Sequence, residues 1–136
     1  MTSSAIQKEI ETLSQLLNEF DDPMEKYELI MDLGNELPTL DEQYCTDENR
    51  ILGCQSNLWV KNFGTDCIDL KATSDAFIVR GMAQMILKVF NGKTKEEVLA
   101  TNPDVLQALG ISGLLTAGRQ NGVGNLINKV YMYARQ

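Results

Sequence analysis

The stretch Asn57–Phe90, NLWVKNF-GTD-CIDLKAT-SDAFIVRGMAQMILKVF, decides the fold. Its first part carries Leu58, Trp59, Val60 and Phe63, and its second alternates Ile68, Leu70 and Ala72 with Asp69, Lys71 and Thr73, which is the period of a strand. Gly64-Thr65-Asp66 supplies a hairpin turn between them. From a start at Ser74 the pattern changes: after Asp75 the only polar side chains are Arg80, Gln84 and Lys88, spaced by four in one narrow stripe. That spacing predicts a helix over 75–90 that is almost entirely core.

Outward from this hairpin and helix the chain is helical on both sides. Ser4 and Gln7 have capping-box form, and Ile6, Ile10, Leu13 and Leu17 share one helix face, predicting a helix over about 4–20. Asp22-Pro23-Met24-Glu25 combines an N-cap, a proline at the first helical position and a first-turn acid. The second helix follows with Tyr27, Ile30, Met31 and Leu33 and ends at Gly34. Residues 35–49 keep no period, contain Pro38 and the acids Asp41, Glu42, Asp47 and Glu48, and read as an exposed loop. Toward the C-terminus, Thr94 with Glu97 repeats the capping-box form and Asn102-Pro103 opens a short helix ended by Gly110. Val123, Leu126, Ile127, Val130, Tyr131 and Ala134 then mark a last amphipathic helix. Helices, then a short antiparallel sheet of about three strands, then helices packed on that sheet is the α+β class rather than a βαβ alternation. Residues 1–136 are expected to form a single domain, with no repeat or linker.

Composition removes many chemistries. Twelve Lys and Arg against nineteen Asp and Glu leave a net charge of −7, and a field of that sign disfavours nucleic acid and anionic membrane surfaces as partners. The absence of His excludes His-based acid–base catalysis, Ser/His/Asp and Cys/His dyads, and imidazole metal sites. No run approaches the roughly 18 apolar residues of a membrane span. Met1-Thr2-Ser3-Ser4 lacks a basic and apolar leader pattern, so the chain is expected to be cytoplasmic, with Cys45, Cys54 and Cys67 as reduced thiols.

Among these thiols Cys54 stands apart. It sits in Gly53-Cys54-Gln55-Ser56, a turn joining Ile51-Leu52 to the strand at Asn57, where the preceding glycine tolerates positive φ and can present the sulfur at a loop tip. The alternative is a buried cysteine acting as a small hydrophobe. Cys67 opens an alternating strand pattern and Cys45 follows Tyr44 in the acidic segment, and packing or incidental exposure suits both. Cysteine separations of nine and thirteen residues match no short-range metal-ligand pair, so no metal site is expected. The glycines of Gly118–Gly124 lack the lysine and Ser/Thr of a phosphate loop and suit a close approach at the start of the last helix, with Arg119 at a turn. The acidic pairs Asp21-Asp22, Asp41-Glu42, Asp47-Glu48 and Glu96-Glu97 fall in caps and polar loops and read as solvated surface.

Taken together, Gly53-Cys54-Gln55-Ser56 with Trp59, Ser74-Asp75-Ala76 with Ile78 and Gly81, and Arg119 before Gly122 make the chain resemble the SufE family. Lys26-Tyr27, Leu33-Gly34, Leu37-Pro38 and Asn49 extend the resemblance over nearly the whole length. It implies a SufE/IscU-like fold of two N-terminal helices, a short sheet and C-terminal helices. It also implies a sulfur carrier that takes persulfide sulfur from a pyridoxal-phosphate cysteine desulfurase of the SufS type onto Cys54. The carrier would stimulate that desulfurase and deliver sulfur to a SufBCD-type iron–sulfur scaffold. By the same resemblance the acceptor cysteine of the isolated protein lies under a loop in a largely apolar pocket.

Carried over by position, Gly53, Gln55 and Ser56 frame the acceptor and Asp75 shapes the cysteine loop and partner surface, where its bland role is that of a helix N-terminal acid. Arg119 is the first candidate for cationic help to a thiol that is only a few per cent ionised at neutral pH, and Arg50 and Lys61 are weaker ones. No resident cofactor or metal is implied, since the pyridoxal phosphate belongs to the desulfurase, and the carrier is expected to be a monomer or weak homodimer. Two other functions remain open on the residues: an iron–sulfur scaffold using several of the cysteines, and a non-catalytic activator that only binds the desulfurase.

Overall fold

The computed structural model describes residues 4–53 and 56–136, with nothing said of the side chains of Ser4, Leu106 and Ser112. Met1-Thr2-Ser3 of the N-terminal leader reading therefore lie outside the described residues, as do Cys54 and Gln55. Helix α1 (Ser4–Asn18) buries the face read from its spacing, with Ile6, Ile10, Leu13 and Leu17 all 4% exposed or less. Helix α2 (Pro23–Leu33) starts as its sequence dictates, the Asp22 carboxylate accepting from Met24 N at 3.0 Å with proline at the first position. Its apolar face is narrower than the spacing suggests: Ile30 is buried, whereas Met31 is exposed and Tyr27 is half-buried, its hydroxyl donating to the Leu114 carbonyl.

Residues 35–49 are not simply an exposed loop. Three short 3-10 turns, Gly34–Glu36, Glu42–Tyr44 and Asp47–Asn49, order the segment, and Leu37 and Leu40 are buried. Leu40 N donates to Ala72 O and Ala72 N to Pro38 O, both at 3.0 Å, so the segment is stitched to the sheet. Those two leucines anchor it without creating any period, which is why periodicity missed it.

The sheet comprises β1 (Leu58–Asn62) and β2 (Leu70–Ser74), antiparallel, with Leu58 opposite Ser74 and Asn62 opposite Leu70. The third strand expected from the sequence is reduced to single-residue bridges on the two edges, Arg50 with Trp59 and Thr39 with Ala72. The second strand begins later than its alternation suggests. Cys67 bridges Thr94 and Ile68 exchanges hydrogen bonds with Lys93 O and Gly92 N, both 2.9 Å, which draws the residues before Leu70 off the β1 ladder and buries Ile68.

Helix α3 (Phe77–Phe90) is the central element, buried from Gly81 to Leu87 and again at Val89 and Phe90, and packed against α1, α2 and β2. Its contact with α2 is backbone to backbone. A Cβ on Gly81 would stand 1.9 Å from Ile30 O, and one on Gly34 would stand 2.9 Å from Gly81 N. Helix α4 (Lys95–Leu99) carries the complete capping box read from Thr94 and Glu97, and α5 (Val105–Leu109) ends at Gly110 with φ 76°.

Helix α6 (Ala117–Arg135) starts earlier than its apolar spacing shows, since Thr116 caps it and the Gly118–Gly124 segment is helical rather than a turn. Burial of Gly122, Val123, Leu126, Ile127, Val130, Tyr131 and Ala134 offsets the roughly 1 kcal/mol that each interior glycine costs. No helix among the described residues is long and apolar enough to cross a membrane.

Candidate functional site

Ile51 N donates to Leu58 O at 2.8 Å and closes the neck of the loop in which the sequence places Cys54. Cys54 and Gln55 themselves lie outside the described residues; the two stems that lead to them are each held by a different element. On the entering side, Asn125 of α6 donates its Nδ2 to Leu52 O at 2.6 Å. Gly53 follows at φ 78°, and the space a side chain would take there is filled by the same Nδ2, 2.7 Å from an idealised Cβ. The glycine is thus required twice, by backbone conformation and by the amide packed against it.

On the leaving side, Asp75 takes hold of Asn57 with both carboxylate oxygens, Oδ1 accepting from the main-chain N and Oδ2 from the side-chain Nδ2, each at 3.1 Å. The Ser74 hydroxyl donates to Asn57 O at 2.5 Å while accepting from Ala76 N at 3.2 Å. Asp75 therefore precedes α3 and serves the cysteine loop; the helix starts two residues later, capped at Ala76. A carboxylate with both oxygens committed to amide donors orients its partner and is poorly placed to shuttle protons.

The remaining expected site residues are placed less closely. Ser56 is half-buried on the loop. Arg119 is the third residue of α6, its N–H donating to the Thr116 hydroxyl at 3.3 Å, and its Nε is buried without a hydrogen-bond partner among the described residues. No described hydrogen bond joins the Arg119, Arg50 or Lys61 side chain to the loop. Asn57 and Asn125, which the sequence reading missed, perform the clamping; neither has a distinctive spacing, and only Asn57's place between turn and strand hints at its role.

Two apolar side chains flank the loop in the open: Leu52 at 75% exposure and Phe77, the first residue of α3, at 71%. Their exposure is large beside the buried core and marks a surface suited to being covered. The other thiols differ. Cys45 is half-buried, with Sγ 3.9 Å from Asp41 O, and its pKa is pushed up first by burial and then by Glu42 and Asp41. That disfavours its thiolate. Cys67 is exposed at the bridge to Thr94.

Comparison with known proteins gives this loop its setting. The family model described as SufE, Fe-S metabolism associated domain, matches residues 11–134. The chloroplastic and mitochondrial SufE-like protein 1 of Arabidopsis thaliana is 32% identical over 120 residues, covering 87% of this chain and 32% of that protein. The cysteine desulfuration protein SufE of Plasmodium falciparum (isolate 3D7) is 25% identical over 134 residues, covering 94% of this chain and 53% of that protein. The chain thus spans about a third and about half of these two relatives. A protein of Thermus thermophilus solved in solution has the same fold, with a TM-score of 0.76 at 16% identity over 99% of this chain and 96% of that one. With a family match that runs through α2, the hairpin, the clamped cysteine loop and α6, this chain belongs to the SufE family.

Proposed function

We propose that the protein is a sulfur acceptor for a cysteine desulfurase, with Cys54 as the accepting thiol. The observation that carries this reading is the clamped loop, held at Leu52 by Asn125 and at Asn57 by Asp75 and Ser74, with its apolar flanks exposed. Clamps of this kind fix both stems on rigid elements, which suits a nucleophile that must enter another protein's site.

The transfer is a thiol exchange. The Cys54 thiolate attacks the outer sulfur of the desulfurase persulfide, a new sulfur–sulfur bond forms on Cys54, and the bond within the desulfurase persulfide breaks. The desulfurase cysteine leaves as a thiolate, and Cys54 becomes a persulfide with no net change in oxidation state. A proton leaves the Cys54 thiol to solvent before attack, so no histidine is required. Sulfur then passes by the same chemistry to an iron–sulfur cluster scaffold of the SufBCD type, with the carrier working in the cytoplasm as a monomer or weak homodimer.

Replacing Cys54 tests the assignment. Cys54→Ser should still bind the desulfurase and should accept no sulfur. Sulfur appearing on Cys45 or Cys67 of that variant would contradict it, as would a variant that stimulates the desulfurase as well as the parent does.

A further inference from the structure

Beside the cysteine loop lies a groove of about 300 Å³ whose wall includes Arg50, Leu52, Lys129 and Met132. Lys129 and Met132 also line a second cleft, of about 330 Å³, which contains Lys61 and Lys95. The two hollows therefore form one trough along α6, leading from Leu52 at the stem of the cysteine loop to the start of α4. Its apolar points, Leu52 and Met132, are 75% and 46% exposed. Its charged points are four cations, Arg50, Lys61, Lys95 and Lys129, against one side-chain carboxylate, Glu48, in a chain whose net charge is −7.

Three of these cations, Arg50, Lys61 and Lys129, have no side-chain carboxylate partner among the described residues. Lys61 Nζ stands 5.6 Å from the Tyr44 ring centroid and 5.7 Å from that of Phe63, and Lys129 Nζ stands 5.8 Å from Tyr133. Lys129 and Lys95 donate to main-chain oxygens, of Glu48 at 3.4 Å and Gln136 at 3.0 Å. Arg50, Lys61 and Lys129 form no ion pair with Glu48, although it lines the second cleft; Lys95 is held by the oxygen of Gln136, the last residue of the sequence. Clustered like charges of this kind repel one another, and an anionic surface laid over them removes that cost.

We infer that this trough is a docking surface for an acidic segment of the desulfurase, one whose carboxylates meet Arg50, Lys61, Lys95 and Lys129 while an apolar side chain covers Leu52 and Met132. The occupant is a protein segment because the trough is open, runs across two elements and begins at the cysteine loop. The inference rests on the sulfur-acceptor reading and names where that partner is gripped beyond the loop. Because the chain as a whole is acidic, the patch also sets orientation: this face attracts an acidic partner, and it brings the cysteine loop with it.

The test is the affinity of the full chain for its own organism's cysteine desulfurase, measured by isothermal titration at low and at high salt, for the parent and for Lys129→Glu and Lys95→Glu. Circular dichroism and melting temperature serve as checks on folding, and Lys129→Gln serves as a milder second variant. We expect parental affinity to fall as salt rises, each reversal to weaken binding about tenfold at low salt, and the salt dependence to flatten in the variants.

Equal affinity of parent and variants would overturn the inference. So would absence of a complex, or charge-dependent self-association of this chain showing that the face meets a second copy. Failure of the acceptor reading looks different: a complex with the expected charge dependence and an unmodified Cys54.

Discussion

Asp75 illustrates how one side chain can organise a site it does not chemically serve. Its two oxygens hold Asn57 by backbone and side chain, and the neighbouring Ser74 hydroxyl takes the carbonyl of the same residue. Asp75→Ala should therefore loosen the leaving stem of the cysteine loop at a cost of about 1 kcal/mol in global stability. Its clearer signature is faster amide exchange at residues 56–58, with sulfur acceptance reduced and desulfurase binding retained; unchanged exchange there would show that Ser74 suffices. Gly53 is the counterpart on the entering stem, where alanine meets both a left-handed backbone and the Asn125 amide. At this scale the sequence was partly legible. The Gly-Cys turn and Ser74-Asp75 stand out by residue type, whereas Asn57 and Asn125 act through contacts across the fold, such as that between residues 52 and 125, which no local pattern encodes.

The elements show the same division. Faces built on regular apolar spacing, those of α1, α3 and the second half of α6, are buried as their periods require. What periodicity missed is where apolar residues act singly: Leu37 and Leu40 fasten the acidic segment, and Ile68 pulls the chain away from the hairpin. The glycine-rich start of α6 was illegible for another reason, since helix propensity argues against it and only tertiary burial of Gly122 and Val123 supports it. The α2–α3 contact depends on the absence of a side chain. Gly81→Ala places a methyl carbon against Ile30 O, which is backbone and not free to step aside. Destabilisation of about 3 kcal/mol is expected, read as a lower midpoint in urea with an unchanged slope. A loss below about 1 kcal/mol would mean that the two helices slide apart easily.

Across the whole molecule, acidity and burial set the response to pH. Tyr131 is 8% exposed, its ring packs edge-on against Phe90 at 5.9 Å, and its hydroxyl donates to Thr101 O at 2.8 Å, tying α6 to the end of α4. Burial pushes its pKa from 10.0 up to about 12. The fold thus favours the neutral phenol, and the unfolded chain releases that proton first as pH rises. The contribution of Tyr131 is complete below pH 10 and is lost between pH 10 and about 12. Denaturation midpoints should fall over that window, and less steeply in Tyr131→Phe, which keeps the ring and lacks the titrating group. An identical decline in the variant would assign the alkaline loss elsewhere. The same large-scale view joins the cysteine loop to the cationic trough: one face of an acidic chain is prepared for a partner, with the thiol's loop at its edge.

The most direct measurement is to incubate the reduced protein with a cysteine desulfurase and cysteine, record its intact mass without reductant, and locate any added sulfur by peptide mapping. The account predicts one added sulfur atom, carried on the peptide containing Cys54 and absent from those containing Cys45 and Cys67. An unmodified Cys54 in a protein that nevertheless binds and stimulates the desulfurase would contradict it and leave that cysteine a structural residue of the loop.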